Sequence, residues 1–141
     1  KNDEPDPSPA EARSSVVIYE ANPKVFAKTN ALQSITGRLD EIKELGTDVL
    51  WLMPIYEQGQ KNSVGSPYCV KNYEKVNAEF GNLQDLKNLV NAAHSKGMRV
   101  ILDWVANHTA WDNAWTTEHK DWYTQNGKGE IISPEGMVRC R

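Results

Sequence analysis

Asp103, Asn107 and His108 fall within six residues, Asp103-Trp104-Val105-Ala106-Asn107-His108, directly after the apolar run Arg99-Val100-Ile101-Leu102. A carboxylate, an amide and an imidazole therefore emerge together where a buried strand opens into a loop, the end at which parallel α/β folds gather functional groups. That is the layout of a sugar-binding strand end. Asp103 can accept from hydroxyls, and His108 can donate to a hydroxyl oxygen or exchange a proton near neutrality. Each residue also has a plainer reading. Asp103 serves equally well as a cap on the next turn, and a lone histidine is more often structural. Asn107 offers an oxygen suited to a hard cation such as Ca2+, but such an ion takes about six to eight oxygens.

Aromatic residues form the second group. Tyr68 follows Pro67 in a polar stretch, and its ring is either a face on which a sugar stacks or a packed lid. Trp111, Trp115, Trp122 and Tyr123 lie among Asp112, Glu118 and Asp121, where a small subdomain core is the favoured reading over a carbohydrate surface. The sequence contains no GxSxG, HExxH, P-loop or GxGxxG, which removes four common catalytic templates.

The elements that position these groups follow from periodicity. Val16-Val17-Ile18-Tyr19, Val49-Leu50-Trp51-Leu52-Met53 and Arg99-Val100-Ile101-Leu102 are continuous apolar runs of the kind found in strands buried on both faces. Between the first two, Ile35, Leu39, Ile42 and Leu45 mark one stripe of a helix, with Ser34 as N-cap and Gly46 just past the end. A long loop is expected from Tyr56 to Phe80. Asn82 and Asp85 then open a second helix carrying Leu83, Leu86, Leu89, Val90 and Ala93 and ending at Lys96-Gly97. The order predicts an α/β fold, a βαβαβ unit with parallel strands and right-handed crossovers. Open doubly wound sheets and closed barrels both begin this way.

Composition sets limits. With 16 basic and 19 acidic residues and a net charge of -3, there is no basic stripe for a phosphate backbone, which argues against nucleic acid as a partner. The 141 residues fall short of the roughly 250 of a (β/α)8 barrel, so only a partial barrel fits. No apolar run approaches the roughly 20 residues of a membrane span, and no secretion signal opens the chain. Lys1 to Ser15 is acidic, with Pro5, Pro7 and Pro9, and reads as a flexible leader. Cys69 and Cys140 are compatible with one disulfide, but two free thiols are expected because Cys140 lies in a tail that reads as unstructured.

Taken together these residues resemble the α-amylase family of glycoside hydrolases. Asp103 to His108 is similar to its D-x-V-x-N-H signature. Ile18-Tyr19 with Pro23 and Phe26, Leu45-Gly46 before Leu50-Trp51-Leu52-Met53-Pro54, and Tyr68 before Tyr73 and Phe80-Gly81 agree in order, from about Val16 to Gly136. The resemblance implies a partial (β/α)8 TIM barrel: a leader at 1–15, the first three βα units at 16–108, the start of an inserted loop-rich domain at 109–136, and an aberrant tail at 137–141. It also implies an α-1,4-glucan or maltooligosaccharide as ligand and a retaining mechanism in the complete enzyme. Tyr68 would stack on the glucose beside the scissile bond and His108 would bond that sugar. Asp103 would support the architecture around the catalytic groups, and Asn107 would ligate Ca2+ in members that bind it.

Two departures are Asn72, where the family usually has Asp, and Lys24, where it often has Arg. The family places its carboxylate pair, about 5 to 5.5 Å apart in retaining enzymes, on strands four and five, which these residues do not match. No residue here is therefore assigned as catalytic. The 141-residue chain is expected to be an inactive N-terminal fragment, with a carbohydrate-binding or assembly piece as the alternative. Self-association through open sheet edges is expected of the latter. The leader resembles the spacer after the lipid anchor of some bacterial glycan-degrading proteins, which points to the cell envelope or secretion.

Overall fold

The computed structural model describes residues 15–133 of the chain. The expected leader apart from Ser15, the expected tail at 137–141, Cys140 and the end of the expected inserted segment lie outside the described residues. In chain order the elements are β1 (Ile18–Ala21), α1 (Pro23–Phe26), α2 (Ala31–Gly37), α3 (Leu39–Glu44), β2 (Val49–Leu52), β3 (Tyr56–Gln58), β4 (Val70–Val76), α4 (Leu83–Ser95), β5 (Arg99–Leu102), α5 (Trp115–Glu118) and a 3-10 turn at Lys120–Trp122.

β1, β2 and β5 form one parallel sheet in that order, with Tyr19 level with Leu50 and Leu50 level with Val100. Residues two apart share a face. Tyr19, Ala21, Leu50, Leu52 and Val100 accordingly pack against Leu32, Ile35, Leu39, Ile42, Leu89 and Ala93 of the helices. α2 and α4 touch each other on this side. A doubly wound sheet would carry helices on both faces. Helices confined to one face, with strands added in sequence order, make the wall of a (β/α)8 barrel, so the structure has the expected α/β, partial-barrel form. The opposite face, with Ile18, Glu20, Val49, Trp51, Arg99 and Ile101 by register, departs from the expectation of burial on both sides: Ile18 is 54% and Ile101 45% exposed.

The first helical stretch differs from its sequence reading. Ser34 is not an N-cap, because its N–H already donates to the Asn30 carbonyl at 3.0 Å inside a helix that starts at Ala31. The helix breaks at Arg38 (φ -110°, ψ 11°) and resumes as α3. The stripe continues across the break, with Ile35, Leu39 and Ile42 buried, whereas Leu45 lies past Glu44, the last residue of α3, and is exposed. Gly46 does end the segment, at φ +84°, a left-handed conformation that only glycine adopts without steric cost.

α4 obeys its signals. Asn82 Oδ1 accepts from the N–H groups of Gln84 and Asp85, and the Asp85 carboxylate accepts from the Asn82 N–H, a complete capping box. Asp85 Oδ1 also accepts from Gln33 Nε2 at 2.8 Å, so the cap ties α4 to α2.

The stretch expected as a loop from Tyr56 to Phe80 contains the antiparallel pair β3 and β4. Register shifts on either side of Glu57 break the alternation that would have revealed a strand. Cys69 is buried and disulfide-bonded, which corrects the expectation of two free thiols. Oxidation of a buried thiol depends on what the fold brings near it, which composition does not show.

Leu50 is wholly buried, so Leu50→Ala is expected to cost about 2–5 kcal/mol. Ile101→Ala, on the open face, should cost less than about 1 kcal/mol. Urea unfolding of both variants measures the contrast, and equal losses would mean that the open face is packed in solution.

Candidate functional site

Asp103 reaches the carboxyl rim of the sheet by extending the ladder. Its N–H donates to the Leu52 carbonyl at 2.9 Å, one residue past the Leu52–Leu102 pair. Alternation turns its side chain away from the helix layer, and there the Tyr68 hydroxyl donates to Asp103 Oδ2 at 3.0 Å. Burial first, then the hydrogen bond to Asp103 and the charges of Asp103 and Glu20, raise the Tyr68 phenol above its ordinary value. Burial and then the Asp103 charge do the same for Tyr56. Both phenols stay neutral donors across the physiological range.

The loop after Asp103 is held by its backbone. The Tyr73 hydroxyl shares its proton between the carbonyls of Val105 (2.5 Å) and His108 (2.9 Å). This leaves the side chains of Asn107 and His108 exposed. Asn107 Nδ2 lies 3.1 Å from His108 Nδ1. With the amide donating, Nδ1 accepts, so the neutral ring carries its proton on Nε2 and presents a donor outward.

A calcium ion would find little here. Asn107 offers one oxygen, and no group of three or more His, Cys, Asp or Glu that could hold a metal occurs among the described residues. Six or so further oxygens would be needed, roughly. The described residues do not by themselves fit the ion.

Residues after His108 fold back on the β3–β4 pair. The Ala110 N–H and Asn113 Nδ2 reach the Val70 carbonyl (2.9 and 3.3 Å), and Asp112 Oδ2 accepts from the Gln60 N–H at 2.9 Å. Gly59 permits the approach, since a Cβ there would lie 2.3 Å from Ala110 Cβ and 2.5 Å from Asp112 Oδ1. The two departures are satisfied locally: the Lys24 ammonium donates to the Gly65 carbonyl, and Asn72 Oδ1 accepts from the Glu74 N–H at 2.8 Å. The expected tryptophan core is not what forms. No residue of α5 or the 3-10 turn is buried, and the rings pack on one another instead.

The predicted residues thus come together as two pairs at one rim, Tyr68 with Asp103 and Asn107 with His108. Sequence reasoning missed Tyr56, and it named Tyr73 without its job of fastening the loop. A tyrosine five residues after Tyr68 was the available signal for the second.

Known proteins share this sequence pattern and fold. The family model described as alpha amylase, catalytic domain, matches residues 20–139. The alpha-glucosidase of Apis mellifera is 37% identical over 114 residues, 77% of this chain and 20% of its own length. The oligo-1,6-glucosidase of Heyndrickxia coagulans is 33% identical over 109 residues, 74% of this chain and 19% of its own. The crystal structure of an alpha-amylase from Lactobacillus plantarum superposes with a TM-score of 0.81 at 38% identity, covering 89% of this chain and 30% of that one. The chain therefore spans about a fifth of the length of the curated relatives it matches.

Tyr73 supplies a pH test. Burial, followed by the nearby Tyr123 and Tyr56, pushes its phenol up to about 12, whereas an unfolded chain loses that proton near about 10. Between these values the native state keeps a proton that the unfolded state has released, so its contribution is full below about pH 10 and is lost as pH rises to about 12. Tyr73→Phe is expected to make the alkaline fall in urea midpoint shallower. An unchanged slope would remove Tyr73 as its source.

Proposed function

The chain belongs to the alpha-amylase family of glycoside hydrolases, and we propose that it supplies the first three βα units of the catalytic domain, 16–108, with 109–136 opening an inserted loop-rich domain. In this reading its rim holds a gluco-oligosaccharide whose α-glucosidic bond the complete enzyme cleaves with retention. The observation that carries it is the Tyr68–Asp103 contact at the carboxyl end of β5, with the outward His108 Nε2 beyond it.

Each side chain then has one task. The ring of Tyr68 offers a face to the C–H groups of a pyranose while its hydroxyl fixes Asp103. Asp103 keeps its acceptor capacity at the rim, and His108 Nε2 donates to a sugar hydroxyl. A retaining displacement also needs a nucleophilic carboxylate and a carboxyl acid about 5–5.5 Å apart, and we assign neither to a residue of this chain. We take α-1,4-linked glucans as the preferred ligand, a choice supported by the likeness to an alpha-amylase structure and opposed by the likeness to an oligo-1,6-glucosidase.

A second reading rests on a separate observation. The face bearing Ile18 and Ile101 is half exposed, and both edge strands, β1 and β5, have one unpaired side among the described residues. Such edges recruit further strands. A second copy of the chain is the occupant to test first: light scattering should show mass rising with concentration, and a monodisperse monomer would end this reading.

The 141-residue chain is expected to release no reducing sugar from maltoheptaose or isomaltotriose above a buffer blank. Calorimetry should find maltoheptaose bound at about 1 mM, roughly -4 kcal/mol, more tightly than isomaltotriose, and weakened by His108→Ala. Turnover abolished by His108→Ala would show that catalytic groups are present, and tighter binding of isomaltotriose would reverse the linkage preference.

A further inference from the structure

We propose that Asn126-Gly127 is a site of spontaneous deamidation that the surrounding hairpin holds closed, and that the product formed there keeps the hairpin open. Asn126 is the only asparagine in the chain followed by glycine, and the site is independent of what the rim binds. A glycine in second place leaves its amide nitrogen unscreened by a Cβ and free to turn toward the side chain before it. Apart from its chain neighbours, nothing lies within 4 Å of the point where a Gly127 Cβ would stand, so no packed neighbour holds it back.

The network around Asn126 is closed within residues 124–132. The Asn126 N–H donates to the Glu130 carbonyl and the Ile132 N–H to the Thr124 carbonyl, both at 2.9 Å, and Gln125 pairs with Ile131. Gly129 completes the turn: its N–H donates to the Asn126 carbonyl at 2.9 Å, and its φ of 74° is left-handed. The carboxamide is pinned at both ends. Oδ1 accepts from the N–H groups of Lys128 (2.9 Å) and Glu130 (3.0 Å), which occupies both lone pairs, and Nδ2 donates to Glu130 Oε2 at 2.7 Å.

Deamidation starts when water or hydroxide takes the proton of the Gly127 amide. That nitrogen then attacks Cγ of Asn126, the Cγ–Nδ2 bond breaks, and ammonia leaves with a proton from water, giving a succinimide. Water opens the ring at either carbonyl, to an aspartate or to an isoaspartate whose main chain runs through Cγ. The carboxamide cannot stay flat between its hydrogen-bond partners while Cγ becomes tetrahedral, so the reaction waits on local opening of the hairpin.

Reclosure is then opposed. The aspartate still accepts from Lys128 and Glu130, but an oxygen stands where Nδ2 donated and faces the Glu130 carboxylate. A charge-assisted hydrogen bond is replaced by two like charges at the same separation. The isoaspartate lengthens the main chain and puts the Asn126–Glu130 backbone pair out of register. Either product records that the hairpin has opened.

The test uses the full chain at mildly alkaline pH. Peptide mass spectrometry should show deamidation at Asn126 at least about tenfold faster in urea than without it. Equal rates, or no reaction in urea, would overturn the site. Asn126→Asp supplies the aspartate product directly and should speed hydrogen exchange of the Gly129 and Ile132 amides about tenfold. Adding Glu130→Gln to that variant lets the new amide donate to the carboxylate, and exchange should return to within about threefold of the parent. Glu130→Gln alone keeps an acceptor for Asn126 and should exchange as the parent does. Unchanged exchange in Asn126→Asp would overturn the opposed reclosure, as would a double variant exchanging as fast as the single one.

Discussion

Burial of Leu50 and Leu52 against α2 and α4 is the constraint from which the site follows. Both leucines are fully buried, each contributing about 1.5–3 kcal/mol over exposure. Side chains alternate strictly along a strand, so this burial fixes the facing of every residue on β1, β2 and β5 through their shared register. A slip of one residue would exchange the two faces. Asp103 would then enter the helix layer, a carboxylate among leucines, and its contact with Tyr68 would be lost. The position of the functional group is thus set by packing several residues away from it.

The sheet alone does not make the rim. Asp103 is the last residue held by the ladder, and beyond it the chain is controlled by hydroxyls from the stretch that includes β3 and β4. Tyr68 takes the carboxylate, and Tyr73 takes two backbone carbonyls. One tyrosine orients a side chain while the other leaves side chains free by holding the main chain. The division explains how Asn107 and His108 can be exposed and still belong to an ordered loop. Burial keeps the Tyr73 phenol protonated to about 12, so the fastening holds over any ordinary range of pH.

What could be read from the sequence was what depends on local period. The apolar runs of the three sheet strands, the Asn82–Asp85 cap and the stop at Gly46 all express a rule that acts over a few residues, and the structure contains each. The start at Ala31 and the break at Arg38 were not legible. Asn30 is left-handed at φ 48°, and the apolar stripe continues through the break as if the helix were one. β3 was hidden because its register shifts around Glu57, and the state of Cys69 because a disulfide depends on what the fold brings near. At the site, Asp103 and His108 could be named from type and spacing. The pairing of Asp103 with Tyr68 joins residues 35 apart, which no local pattern encodes.

The rim and the cavity beside it, bordered by Trp104, Trp115, Trp122 and Tyr123, share a backbone support yet differ in chemistry. The rim carries the Asp103 carboxylate and feels Glu20, whereas the cavity lining carries no acidic or basic side chain apart from histidine. Tyr73 touches both. Its hydroxyl holds the loop that bears His108, and its ring stacks on Trp115 of the cavity wall. Any shift of that ring reaches the loop that carries His108 and the indole of Trp115 together.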